Sequence, residues 1–102
     1  CQEKIEERIE YYKDQVGAEP TEVKVKEQKK RWGSCTAQDR LLFNWRCIMA
    51  PSYILDYIVV HEMCHLIHKN HSKDYWASVA EILPDYKERR QWLKENGIKM
   101  DF

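Results

Sequence analysis

His61-Glu62-Met63-Cys64-His65-Leu66-Ile67-His68-Lys69-Asn70-His71 is the stretch on which the reading of this chain turns. On an α-helix, residues four apart share a face, so the imidazoles of His61 and His65 can reach one metal ion. Glu62 sits between them, close enough to handle a water molecule held by that ion. The order His-Glu-x-x-His meets the needs of metal-assisted hydrolysis, because it supplies two nitrogen ligands and a proton acceptor from one turn of helix. The chain has four histidines and all lie between positions 61 and 71. Histidines that merely decorate an amphipathic surface have no reason to cluster in this way.

A catalytic zinc takes three protein ligands and keeps one position open. Three residues compete for the third place. His68 shares the face of His61 and His65, but a straight helix spreads those three over about 10 Å. His71 follows His65 by six residues, as does the third histidine of the extended HExxHxxGxxH pattern, in which the chain turns and swings back. The glycine of that pattern is replaced here by His68, and Asn70 is the residue that tolerates the left-handed geometry of a turn. A carboxylate from the next helix, such as Glu81, is the third candidate. Spacing and ligand type favour His71, giving a site of His61, His65 and His71 around one Zn2+, with Glu62 as general base. Cobalt, nickel or manganese would also accept such ligands.

Working outward, Ile54, Leu55, Ile58, Val59, Met63, Leu66 and Ile67 give the metal-bearing helix a broad apolar face. Pro51 suits its first turn, and the pattern carries it to Lys69-Asn70. Ser72 is an N-cap for a helix with Tyr75, Trp76, Val79, Ala80 and Leu83. Pro84 starts a last helix through Tyr86, Trp92 and Leu93, closed by Asn96-Gly97. Upstream, Ile5, Ile9, Tyr12 and Val16 recur at helical spacing over residues 2–16, with Gly17 as C-terminal cap. Val23 and Val25 alternate with Lys24 and Lys26 in a half-buried strand. Arg31-Trp32-Gly33-Ser34-Cys35 follows, then a polar turn at Gln38-Asp39-Arg40. Leu41 to Cys47 reads as another strand, with Leu41, Phe43 and Trp45 on one face. The expected class is α+β, a small antiparallel sheet of three strands packed on helices, with the HExxH on a central helix.

The 102 residues suffice for one domain with a modest core. A hydrophobic share of 43% beside 33% charged residues describes a folded globular chain rather than a disordered one. The formal net charge of zero excludes global charge as an argument for a polyanionic partner. No apolar run is long enough to span a bilayer, and the charged first ten residues do not form a signal peptide. Cys1, Cys35, Cys47 and Cys64 form no CxxC pair, and reduced thiols in a cytoplasmic protein are the expectation. Cys64, inside the motif, is expected to face the core. Close cysteine spacing is missing, so Cys35 and Cys47 do not read as a second metal site.

Other groups near the motif have less definite roles. Asp56 lies a turn and a half before His61, where it can orient a neighbour or favour the N-terminal half of the helix. Arg31, Asn44, Tyr53 and Tyr75 are the candidates for stabilising an oxyanion, with packing or exposure the competing account of each. Trp32, Trp45, Trp76 and Trp92 read as core rather than as a substrate platform.

The ordered run Arg31-Trp32-Gly33-Ser34-Cys35, Asn44-Trp45-Arg46, Pro51, Asp56-Tyr57, His61 to Leu66, Asn70-His71-Ser72, Tyr75-Trp76 and Pro84-Asp85-Tyr86 resembles the YgjP-like metallopeptidases, and more distantly the SprT-like proteases. These matches span most of residues 22–95. The resemblance implies a compact zincin-like fold, peptidase chemistry and His71 rather than His68 as third ligand. It also implies that residues 1–102 are a single domain forming the C-terminal part of a longer protein, since members carry an additional N-terminal β-rich portion. In a zincin, an edge strand above the cleft pairs with an extended peptide; Leu41–Arg46 and Arg31–Cys35 are the segments available for this.

The leading expectation is a zinc-dependent peptidase acting on peptide or protein substrates. The stretch Lys24, Lys26, Lys29, Lys30, Arg31 and Trp32 raises a DNA-associated protease as a competitor, but such a run reads better as a solvated strand face than as a nucleic-acid surface. A non-catalytic, zinc-stapled module is the third reading. The intact Glu62 and a three-ligand site argue against it, because structural sites are four-coordinate and cysteine-rich.

Overall fold

A computed structural model describes residues 2–26, 33–36, 38–44, 51–68 and 72–96. Helix α1 (Gln2–Val16) is followed by strands β1 (Glu22–Lys26), β2 (Gly33–Cys35) and β3 (Arg40–Asn44), then helices α2 (Ser52–Cys64), α3 (Lys73–Ile82) and α4 (Tyr86–Asn96). The class is α+β, as the periodicities require. Helix α2 is the centre of the molecule and touches α1, β2, α3 and α4. Its sequence is apolar on almost every side, and Ile54, Leu55 and all residues from Tyr57 to Cys64 are buried; a helix of that kind is stable only when surrounded.

Helix α1 lays Ile5, Ile9 and Tyr12 into the core. Gly17 ends it with φ of +82° and an amide donating to the Lys13 carbonyl at 2.8 Å, a backbone state that costs glycine least. Arg8 fixes α1 to α2. Its Nε and Nη2 donate to the two carboxylate oxygens of Asp56 at 2.7 and 2.8 Å, and the Tyr12 hydroxyl donates to Asp56 Oδ2 at 2.9 Å. Asp56 therefore joins two helices.

Among the described residues the sheet has three strands, in the order β1-β3-β2. It is mixed, which corrects the expectation of a wholly antiparallel sheet. β2 and β3 pair antiparallel, with Gly33 opposite Phe43, whereas β1 and β3 pair parallel, with Glu22 opposite Arg40. The hairpin explains the difference. Asp39 adopts φ of +60° in the turn, a state that aspartate tolerates better than most residues. Thr21, just before β1, donates its amide to the Asp39 carbonyl at 2.9 Å and its hydroxyl to the Gln38 carbonyl at 2.8 Å. β1 therefore starts where β3 starts and runs the same way. Alternation of side chains fixes which face of a strand is buried, not which neighbour it takes. Leu41 and Phe43 are buried as expected, while Trp45 and Cys47 lie outside the described residues. β3 is paired on both sides, so of the two segments considered as a peptide-binding edge only β2 lies at an edge among the described residues.

Helix α2 stops at Cys64, about a turn and a half before the expected end at Lys69-Asn70. Leu66 and Ile67 continue the apolar period but lie in the following turn, and Ile67 is 49% exposed. Ser72 caps α3, its hydroxyl accepting from the Tyr75 amide at 3.4 Å. No helix among the described residues is long and apolar enough to cross a membrane.

Candidate metal centre

The end of α2 is where the chemistry collects. The last four carbonyls of a helix have no partner within it, and here each finds one. The His61 carbonyl accepts from the Tyr75 hydroxyl at 2.8 Å. The Glu62 carbonyl accepts from the His65 amide at 3.1 Å, and the Met63 carbonyl from the Leu66 amide at 3.0 Å. The Cys64 carbonyl accepts from the amides of Ile67, at 3.2 Å, and His68, at 2.9 Å. These bonds tighten the chain into a turn without proline or glycine. The premature end of the helix is thus a local hydrogen-bonding solution, which apolar periodicity does not reveal.

The turn also aims His65. Its Nδ1 lies 3.0 Å from the His68 carbonyl oxygen. A carbonyl only accepts, so Nδ1 carries the proton and Nε2 presents its lone pair. The rings of His61 and His65 stand nearly perpendicular, with centroids 5.2 Å apart. His61 Nε2 is 4.0 Å from Glu62 Oε2, and ligand atoms of His61, Glu62 and His65 all lie within 4.8 Å of one another. His61 and Glu62 are each 2% exposed and His65 is half-buried. Two imidazoles and a carboxylate at that separation fit a divalent first-row metal.

Gly33 brings β2 against this cluster. A Cβ at that position would lie 3.0 Å from the Leu42 carbonyl oxygen, 3.2 Å from Glu62 Cγ and 3.4 Å from Glu62 Oε2. Only glycine lets the edge strand approach Glu62 so closely. Apolar periodicity does not mark this role of Gly33; a glycine inside a strand pattern is the signal for such an approach.

Aromatic rings form the walls. Tyr75 lies 4.6 Å from the His65 ring and 5.6 Å from the His61 ring, and Tyr57 lies 5.7 Å from His61. Burial pushes the phenols of Tyr57 and Tyr75 far above their ordinary range, so both remain protonated. The Tyr75 hydroxyl is engaged with the His61 carbonyl, which makes it a support for α2 rather than an oxyanion donor. Tyr53 is exposed at the start of α2, Asn44 is buried at the end of β3, and Arg31 lies outside the described residues. Burial pushes the Cys64 thiol up to about 12, so it offers no thiolate, and it faces the core as expected. Trp76 and Trp92 pack half-buried against the core.

The third-ligand candidates separate. His68 turns toward α3, with Nε2 3.2 Å from the Ser78 hydroxyl, and Glu81 is exposed. Neither joins the cluster gathered around His61. His71 lies outside the described residues. The basic run is described only at its start, where the Lys24 ammonium lies 3.3 Å from Glu22; Lys29, Lys30, Arg31 and Trp32 also lie outside. A groove of about 690 Å³ between α1 and β1, lined by Ile9, Glu10, Glu19 and Val25 among others, contains none of the histidines.

The family model of the YgjP-like metallopeptidase domain matches residues 1–96. Two solved structures share the fold. The metallopeptidase zymogen abylysin of Pyrococcus abyssi superimposes with a TM-score of 0.82 at 20% identity, over 95% of this chain and 99% of that one. The metallopeptidase zymogen jannalysin of Methanocaldococcus jannaschii does so with a TM-score of 0.79 at 18% identity, over 92% of this chain and 97% of that one. No curated protein matches the chain.

Proposed function

The chain belongs to the YgjP-like metallopeptidase family, and from that premise we propose a zinc-dependent peptidase in which His61, His65 and His71 hold one catalytic ion and Glu62 is the general base. The observation that carries this reading is the approach of His61, Glu62 and His65 to within 4.8 Å, with the His65 tautomer set by the His68 carbonyl. A ligating histidine usually donates its other ring N–H to a carbonyl or carboxylate, and His65 is arranged in that way. The abylysin and jannalysin structures are of metallopeptidase zymogens, which agrees with peptidase chemistry on this fold.

When bound, the ion supplies Lewis acidity that makes water a nucleophile near neutral pH. The carboxylate of Glu62 takes a proton from the attacking water and later delivers it to the leaving amine. Gly33 restricts the space around Glu62, and Tyr75 and Tyr57 wall the His61 ring. The outer edge of β2 lies beside it and holds an extended peptide by main-chain hydrogen bonds. Residues 1–102 act as one zincin-like domain that resides in the cytoplasm, where thiols stay reduced.

The test is metal content after native purification, compared between wild type and His71→Ala, with hydrolysis of a broad peptide library by wild type and Glu62→Gln. The reading expects about one zinc per wild-type chain, its loss in His71→Ala, and zinc retention without hydrolysis in Glu62→Gln. Zinc-loaded wild type that cleaves no peptide would return the chain to the non-catalytic reading. Full zinc retention by His71→Ala would overturn the ligand set.

A further inference from the structure

We infer that Arg90, held over the ring of Trp76, selects peptides that place a carboxylate beside the candidate metal centre. The inference rests on the peptidase reading and concerns which peptide that site accepts. Arg90 is an exposed residue of α4, and its guanidinium carbon lies 5.0 Å from the Trp76 ring centroid. Trp76 in turn lies 6.2 Å from the His61 ring and 4.9 Å from Tyr75, and it stacks on Tyr86 at 5.4 Å with an interplanar angle of 21°. The indole thus joins the guanidinium to the wall of the site, and Tyr86 holds the indole in place.

A substrate carboxylate entering this region meets repulsion from Glu62, and the Arg90 guanidinium, stacked on the indole that faces His61, is a cation placed to offset it.

The neighbouring arginine shows what an occupied guanidinium looks like here. Arg89 donates to Asp85 at 3.1 Å and to the Tyr53 carbonyl at 2.9 Å. Among the described residues, no carboxylate pairs with Arg90. A guanidinium is a planar fork suited to bidentate recognition of a carboxylate, and stacking on an aromatic ring orients the fork in advance. The class of ligand is a peptide carboxylate, carried by an Asp or Glu side chain or by the chain end.

The experiment uses three peptides of one sequence: an amidated peptide with an internal Glu, the same with Gln, and the Gln peptide with a free C-terminal carboxylate. Cleavage by the zinc-loaded enzyme is measured alongside calorimetric binding to Glu62→Gln, each with and without Arg90→Gln. The inference expects one carboxylate peptide to be favoured over the amidated Gln peptide by about 10- to 100-fold, the range of a charge-assisted hydrogen-bonded pair. Arg90→Gln should remove that preference and leave the amidated Gln peptide unchanged. Preference for the internal Glu assigns a side-chain subsite, and preference for the free acid assigns recognition of the chain end. Equal use of all three peptides, or a preference that survives Arg90→Gln, overturns the inference. If no peptide is cleaved, the peptidase reading fails, and the binding arm still decides the role of Arg90. Should Arg90→Gln melt early, Arg90→Lys keeps the charge without the fork and should weaken the preference.

Discussion

The Nδ1 of His65 and the carbonyl oxygen of His68 lie 3.0 Å apart, across the turn that ends the central helix. This bond fixes the imidazole tautomer before any ion arrives. We predict that nitrogen NMR of the metal-free protein finds the His65 proton on Nδ1, and that added zinc moves Nε2 of His65 and leaves that proton in place. A proton on Nε2 in the metal-free protein would contradict the arrangement.

Gly33→Ala tests how tightly β2 closes on Glu62. The new methyl must displace either the Leu42 carbonyl or the Glu62 side chain. Overpacking of this kind costs about 1–3 kcal/mol, and the carboxylate is the softer of the two. We predict a fall in kcat/KM of about 10- to 100-fold with metal content preserved. Full activity in the variant would mean that Glu62 has more freedom than its surroundings indicate.

Removing one oxygen at Tyr75 separates support from chemistry. Tyr75→Phe keeps the ring against His65 but deprives the buried His61 carbonyl of the phenol. Denaturant unfolding should show a loss of about 1–3 kcal/mol, while zinc retention stays close to wild type. Loss of zinc with unchanged stability would assign Tyr75 to the metal rather than to the helix.

The junction between α1 and α2 makes a prediction about alkaline pH. Burial raises the Tyr12 phenol above its ordinary value, and the hydrogen bond to Asp56 raises it further. The folded state therefore holds this proton more tightly than the unfolded chain. The stabilisation is complete below about pH 10, the value of a free phenol, and is lost as pH rises past it. Unfolding free energy should fall above about pH 10, and Tyr12→Phe should reduce that slope.

The same junction can be cut directly. Arg8→Ala leaves the carboxylate of Asp56 without its bidentate partner in a largely enclosed position, 16% exposed. We predict a loss of about 2–4 kcal/mol, slightly below that for breaking a fully buried pair. A change under about 0.5 kcal/mol would mean that water replaces the guanidinium at little cost.

Much of the molecule was legible from residue patterns because those patterns record burial. The period of Ile5, Ile9 and Tyr12 marked α1, the pairing of Leu41 with Phe43 marked the buried face of β3, and Ser72 marked the start of α3. His61, Glu62 and His65 were readable as a group because helical spacing alone brings them together. Sheet direction was not, since it is set by Thr21 reaching the hairpin turn. The end of α2 was not, since it depends on Tyr75, Ile67 and His68 taking up carbonyls. Nor did spacing reveal that Asp56 is held by Arg8, 48 positions away. His71, the third ligand that spacing favours, lies outside the described residues.

His65 caps the central helix in a helical backbone state, so its backbone continues the rod that carries His61. Its ring, however, leans on Tyr75 of α3 and takes its proton arrangement from the His68 carbonyl. The mutual orientation of the two imidazoles is therefore set only when α3 has docked, which ties the geometry of the centre to completion of the fold.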